Sequence, residues 1–327
     1  MIDDIPLAEI HENLAQLLEG FGGYRILRKL KPPTPDPLAA SDDDLRGVFI
    51  DTETTGLRPE HDEIVELAMA PFRFTRDGRI TAHGEPWEGL RQPSIPILAA
   101  VTAVHGITEE MVAGRVIDPD VVAAFVAPMD LIIAHNSAFD RPFLERFCAA
   151  FADKPFGCSM CQIDWRGEGH ESTKLSALAA DYGFYFDKHR ALNDCQAGLE
   201  LLSRPLMTSG APALGKLLEQ ARQPTWRIWA TGAAFEYKQT LRDRGYKWHD
   251  GSEGPAKSWY IDVVEDDREA ELRFLSETIF KRPINLPQQR LAARDRFSVR
   301  AMPSGISRVV PPDPDCLSAA TSGDTAP

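Results

Sequence analysis

"GVFIDTETTGL", residues 47–57, is the stretch on which the reading turns. Val48-Phe49-Ile50 is a short apolar run of the kind that forms a buried strand. It ends in two acids, Asp51 and Glu53, with one residue between them. Successive side chains alternate across a strand, so both carboxylates fall on one face. Like charges held side by side repel, and one of the two should resist ionising. Acids at a strand end are most simply part of a solvated loop, so the pair needs further acids from elsewhere before it becomes a site.

The surrounding chain sets limits. Its 327 residues suffice for one large domain with an added module or for two ordinary domains. The composition, 43% hydrophobic and 26% charged, is that of a soluble globular protein. No apolar run approaches the roughly 20 residues that span a bilayer, so no membrane role is expected. The N-terminal "MIDDIPLAEIHENL" lacks a basic segment ahead of an apolar one, which argues against a secretory signal. Five scattered cysteines, an odd number, suit a reduced, cytoplasmic protein. The net charge of -13 excludes binding long nucleic acid through bulk charge. A nucleic-acid partner would instead be gripped over a short segment, with metal ions supplying local positive charge.

Working outward, residues 1–45 read as a helix, a short strand in "YRILRKL" and a Pro/Asp-rich linker. Leu7, Ile10, Leu14, Leu17 and Leu18 carry the helical spacing, which Gly20, Gly22 and Gly23 end. Residues 46–205 mix strands at 47–52, 63–74, 79–86 and 131–135 with helices at 96–104, 138–152, 174–182 and 191–202. The first three strands follow through short turns, with Asp77-Gly78 a hairpin signal, and are expected antiparallel. Later strand–helix alternation extends the sheet in parallel. The fold class is α/β, a mixed sheet flanked by helices. Residues 206–224 read as a connecting helix. Residues 225–300 read as a small α+β module of βαββα order, and the Pro/Ser/Asp/Gly-rich 301–327 as a disordered tail. The module's Trp226, Trp229, Tyr246, Trp248 and Trp259 suit a small core better than a base-stacking platform. Cys158 and Cys161 lack the second ligand pair of a zinc site and read as structural.

Two further acid sites lie downstream. In "DLIIAHNSAFDRPFLERF" an apolar strand leads into a helix with Asp140 in its first turn. Ser137-x-x-Asp140 is also a capping-box pattern, so structure alone could account for that acid. In "HRALNDCQAGLELL", His189 and Asp194 would not share a face of one helix. They converge if His189 lies on the loop entering the helix and Asp194 lies inside it.

Together "DTETTG", "HNSAFD" and "HRALND" resemble the three motifs of the DEDDh 3′–5′ exonucleases, in order, over residues 46–202. That family includes proofreading subunits, RNase T-like enzymes and oligoribonucleases. The resemblance implies a ribonuclease H-like, five-stranded mixed sheet and release of nucleoside 5′-monophosphates from nucleic-acid 3′ ends. No residue placed by the sequence reads a 2′-hydroxyl, and DNA is only slightly favoured over RNA as the substrate. It implies two Mg²⁺ or Mn²⁺ ions per site, held by Asp51, Glu53, Asp140 and Asp194, with Asp51 bridging and Asp140 acting largely through bound water. His189 is then the general base. By the same resemblance Thr54, Leu57, His105, Gly106 and Ile107 hold the terminal nucleotide, although Gly106 could equally cap a helix. Expected partners are single-stranded or frayed 3′ ends and a DNA polymerase or repair complex. The rival reading is a non-catalytic nucleic-acid-binding scaffold on the same fold, and the presence of all five residues weighs against it.

Overall fold

In the computed structural model, which describes residues 7–36, 41, 43–249 and 257–301, the chain divides between Gln223 and Pro224. The first unit takes back Ala292–Ser298. Its elements in order are α1 (Leu7–Gly20), β1 (Arg28–Lys29), β2 (Leu45–Thr54), β3 (Ile64–Phe74), β4 (Ile80–His83) and β5 (Trp87–Leu90). There follow α2 (Ala99–His105), α3 (Glu109–Val112), α4 (Pro119–Val126), β6 (Leu131–Ala134), α5 (Ser137–Phe147) and β7 (Phe156–Cys158). The last are α6 (Leu175–Asp181), β8 (Phe184–Tyr185), α7 (Ala191–Ser203) and α8 (Ala213–Arg222).

The main sheet runs β4-β3-β2-β6-β7, with β5 also paired to β3. Pairs among β2 to β5 are antiparallel, while β2/β6 and β6/β7 are parallel. This is the expected mixed sheet, with two adjustments that give it six strands in place of five. The edge strand β7, paired to β6, is not among the strands read from the sequence. The strand read at 79–86 is two short strands sharing the edge of β3. Phe72 pairs with His83 but Met69 pairs with Trp87, one residue out of step. Pro71 and Pro86 lie in that gap, and proline has no N–H to give a ladder. The short strand expected in "YRILRKL" shrinks to β1, which pairs in parallel with β8.

Alternation along β2 sorts the core into two layers. Phe49 packs with Ala68 and Ala70 of β3 and with α6, α7 and α8 on one face. Val48 and Ile50 pack with Leu67, Met69, α4 and α5 on the other. The α8 segment, read as a connection, thus belongs to the core. Helix α7 comes unusually close to β2, because Gly198 lies against the Phe49 ring and a Cβ there would overlap it. Gly198 is one helical turn from Asp194, so this contact sets how near that carboxylate comes to the strand.

On the opposite face, Arg141 of α5 is fully buried. Its Nε donates to Glu145 at 2.7 Å, and its Nη atoms donate to the carbonyls of Ala152 at 3.2 Å, Arg294 at 2.6 Å and Arg296 at 2.8 Å. The returning segment Ala292–Ser298 therefore fastens the helix that carries Asp140.

The second unit contains β9 (Thr225–Ala230), α9 (Lys238–Asp243), β10 (Lys247–His249), β11 (Ser258–Val264), α10 (Glu265–Phe274) and β12 (Gln288–Leu291). Its sheet order is β10-β11-β9-β12, antiparallel throughout. The expected βαββα unit is therefore βαββαβ. Residues 290–300, read as the end of this module, instead split, with Leu291 ending β12 and Ala292–Ser298 joining the first unit. Trp229, Tyr246 and Trp259 are buried, as a small core requires, while Trp248 is half exposed. The disordered tail expected at 301–327 lies outside the described residues from 302 onward.

Two substitutions test this packing. Gly198→Ala should destabilise the protein by about 1–3 kcal/mol by overpacking, despite a helix-propensity gain of about 1 kcal/mol. Arg141→Met breaks a buried ion pair and strips donors from buried carbonyls, and should cost about 3–5 kcal/mol. Urea unfolding midpoints of the two variants beside the parent provide the measurement.

Candidate metal and catalytic site

Strand β2 brings Asp51 and Glu53 to the face covered by α7, and its pairing with β3 slips between Glu53 and Thr54. Asp194 enters from the first turn of α7. One carboxylate oxygen from each of Asp51, Glu53 and Asp194 lies within 4.8 Å of the others, the group of metal-ligating type found among the described residues. Asp140 comes from the other face, on α5, and lies outside that group of three. It is 2% exposed, and its Oδ1 accepts from the Thr52 amide at 3.1 Å and the Thr52 hydroxyl at 2.9 Å. The capping-box alternative for Asp140 does not form. Asn136, in the left-handed region at φ 83°, is the N-cap, and no side chain caps this end. The Ser137 hydroxyl donates to the Gly157 carbonyl at 2.5 Å instead.

His189 does lie on the loop entering α7, in the left-handed region at φ 64°. Its amide donates to Asp194 Oδ2 at 2.8 Å, and the next amide, of Arg190, donates to the same oxygen at 3.3 Å. The third motif is thus a left-handed turn tied to its own acid.

Electrostatics follow from this crowding. Burial, then Asp140, Asp194 and Glu53, pushes the Asp51 carboxyl well above its ordinary range. Burial, then Asp194 and Glu66, raises Glu53 to about 8. Burial also raises Asp140 and Asp194, against the hydrogen bonds they accept. Each acid is reluctant to ionise unless positive charge joins it. Hard carboxylate oxygens are the ligands that hard divalent ions prefer, and an ion could replace the protons. The donor set therefore fits a divalent cation held by Asp51, Glu53 and Asp194.

Two residues of this site escaped the sequence reading. Glu66 of β3 stands directly across from Glu53 and is 2% exposed. The Arg190 guanidinium donates to it at 2.7 Å. The available signal was a charged residue inside the apolar run Ile64–Met69, which only the pairing register turns into a site residue.

The nucleotide-holding candidates divide. Leu57 is 81% exposed. Thr54 is buried, its hydroxyl donating to the Gly56 carbonyl at 2.5 Å. His105 lies beside the Thr54 backbone, and burial lowers its pKa. Its Nδ1 accepts from the Ile107 amide at 2.9 Å. Gly106 adopts φ 74° and caps α2, its amide donating to Thr102 at 2.7 Å. Ile107 is a correction. Its side chain is fully buried with Val65, Ile97 and Val112, because an apolar residue between two short helices fills their shared core. His105 and Thr54 are therefore brought together, and the Ile107 side chain is removed from the candidates.

A mixed sheet between helix layers, with acids from two strand positions and two helices near one strand end, is the architecture of the ribonuclease H-like class. The family model described as Exonuclease, RNase T, matches residues 48–202. Exodeoxyribonuclease 10 of Escherichia coli K12 is 32% identical over 167 residues, covering 50% of this chain and 69% of that protein. A DNA polymerase III subunit epsilon-like protein of Rhodobacter capsulatus is 35% identical over 196 residues, 55% of this chain but 27% of that protein. The chain thus spans about a quarter of that relative's length. Among solved structures, exonuclease X in complex with 5′ overhanging duplex DNA covers 53% of this chain and 90% of its own, at 26% identity and a TM-score of 0.37. The chain belongs to the RNase T exonuclease family, of the DEDDh type.

The raised carboxyls make the stability of the metal-free protein depend on pH. Stability from an acid whose folded pKa is raised is present below its unfolded value and is lost as pH rises through the folded one. For Glu53 that window runs from 4.5 to about 8. Without divalent ions the melting temperature should fall across this window, and the increase on adding Mn²⁺ should grow with pH. Calorimetry at matched ionic strength reads both.

Proposed function

We propose that the first unit hydrolyses phosphodiester bonds at nucleic-acid 3′ ends and releases nucleoside 5′-monophosphates, with DNA favoured over RNA. The observation that carries this reading is the three-acid group of Asp51, Glu53 and Asp194, with His189 joined to it through Asp194. The name exodeoxyribonuclease borne by a relative supports the choice of DNA. Mg²⁺ or Mn²⁺, two ions per site, is the proposed cofactor. When bound, such ions activate water and stabilise the charge that develops on the phosphoryl oxygens and the leaving alkoxide.

The protein's own contributions are positional. Asp51, Glu53 and Asp194 hold their oxygens at a fixed separation before substrate arrives. Asp140 is held by both the amide and the hydroxyl of Thr52, which leaves it little freedom to swing away. His189 is the general base. Burial, then Lys188, holds its imidazole below the ordinary histidine value, so it is neutral and able to take a proton from water near pH 7. Thr54, Leu57, His105 and Gly106 border the place for the terminal nucleotide. Frayed 3′ ends are the proposed substrate, and a DNA polymerase or repair complex the proposed setting. Among the described residues no helix is long and apolar enough to cross a membrane.

The test uses 5′-labelled single-stranded DNA, duplex DNA and RNA with Mg²⁺ or Mn²⁺. The parent should shorten DNA from its 3′ end fastest. Asp51→Ala should abolish hydrolysis, and His189→Ala should lower kcat by about 10²–10⁴-fold. Full activity of Asp51→Ala would overturn the assignment.

A further inference from the structure

Glu66 is a fourth carboxylate on the face that carries Asp51, Glu53 and Asp194, and the proposed chemistry leaves it without a task. It lies directly across the ladder from Glu53, a placement in which like charges destabilise a sheet. A carboxylate this buried persists only if it is paired and fully hydrogen-bonded. Arg190 meets it sideways, Nη2 at 2.7 Å and Nε at 3.1 Å from Oε1. The amide of Ala191, the first residue of α7, donates to Oε2 at 2.9 Å.

Three consecutive amides of the turn are therefore taken by acids of the cluster. Those of His189 and Arg190 go to Asp194, and that of Ala191 goes to Glu66. The turn includes a histidine in the left-handed region, a conformation costing about 1–2 kcal/mol for a residue with a Cβ. Such strain persists where the surroundings over-determine it. Here two acids on different elements hold the turn, one inside α7 and one on the neighbouring strand.

We propose that the Glu66–Arg190 pair is a positioning latch that fixes the His189 turn against β3 and so aims His189 at the water it deprotonates. The inference rests on the exonuclease reading for the role of His189, but not for the latch itself. Arg190 is a positioning residue whose effect on rate passes through His189.

The experiment uses the full chain with Arg190→Met and Glu66→Gln, each also combined with His189→Ala. Hydrogen exchange at residues 189–191 reads the latch without catalysis. Exchange there should rise at least tenfold in both single variants while the β2 and β3 amides keep their protection. With single-stranded DNA, kcat should fall about 10–100-fold with KM within threefold, and Arg190→Lys should recover part of it. In the His189→Ala background, Arg190→Met should add no further loss, because residues acting as one unit are not additive. Multiplying losses in that background, a change confined to KM, unchanged local exchange, or exchange raised throughout the domain would each overturn the latch. An inactive parent would sink the exonuclease reading alone and leave the exchange result standing.

Discussion

Repulsion among acids withdrawn from water is the constraint on which this structure depends. Asp51 and Glu53 are neighbours along a strand, Glu66 faces Glu53 across the ladder, and Asp140 and Asp194 arrive from helices on opposite faces. An unaided chain would move such groups apart or into solvent. Their proximity is maintained because each rides on an element whose place is decided by apolar packing elsewhere, chiefly the two layers around Phe49 and Ile50. Burial energy spread over the core opposes repulsion concentrated at one strand end.

The supports sit directly behind the acids. Gly198 lets α7 lie against Phe49 and so brings Asp194 toward β2. Arg141, adjacent in sequence to Asp140, is enclosed by carbonyls of the returning segment and by Glu145, which anchors α5. Arg190 neutralises the one carboxylate that lies opposite Glu53. In each case a close contact is placed within one turn of a reactive group, where a small displacement matters most to geometry-dependent chemistry.

The second unit follows a different logic. Its core is a four-stranded antiparallel sheet with Trp259, Ile228 and Leu275 among the buried side chains. Tyr237, Tyr246, Trp259, Phe274 and Phe280 serve this packing. Glu271 bridges Arg244 and the Tyr246 hydroxyl, a buried acid satisfied by two donors. That arrangement contrasts with Asp51 and Glu53 of the first unit, whose carboxyls are raised by burial and by neighbouring acids.

The sequence by itself determined the strand–acid motif, the mixed strand–helix character of residues 46–205 and the five residues proposed for the site, because these depend on local periodicity and on residue types that few chemistries require. Alternation in β2 was enough to put Asp51 and Glu53 on one face. Other features depended on pairing and packing between distant segments. The break between β4 and β5 falls where Pro71 of β3 and Pro86, between the two short strands, interrupt the ladder, and they meet only in the sheet. Ile107 lies in a motif that suggested substrate contact, yet its burial is decided by helices to either side. The strand β12 and the return of Ala292–Ser298 carried no periodic signal, since one is short and the other is held through its backbone carbonyls. Glu66 and Arg190 are separated by 124 positions, and nothing local connects them. Tertiary structure alone decided that they meet, because ladder register and helix docking set which charges face each other.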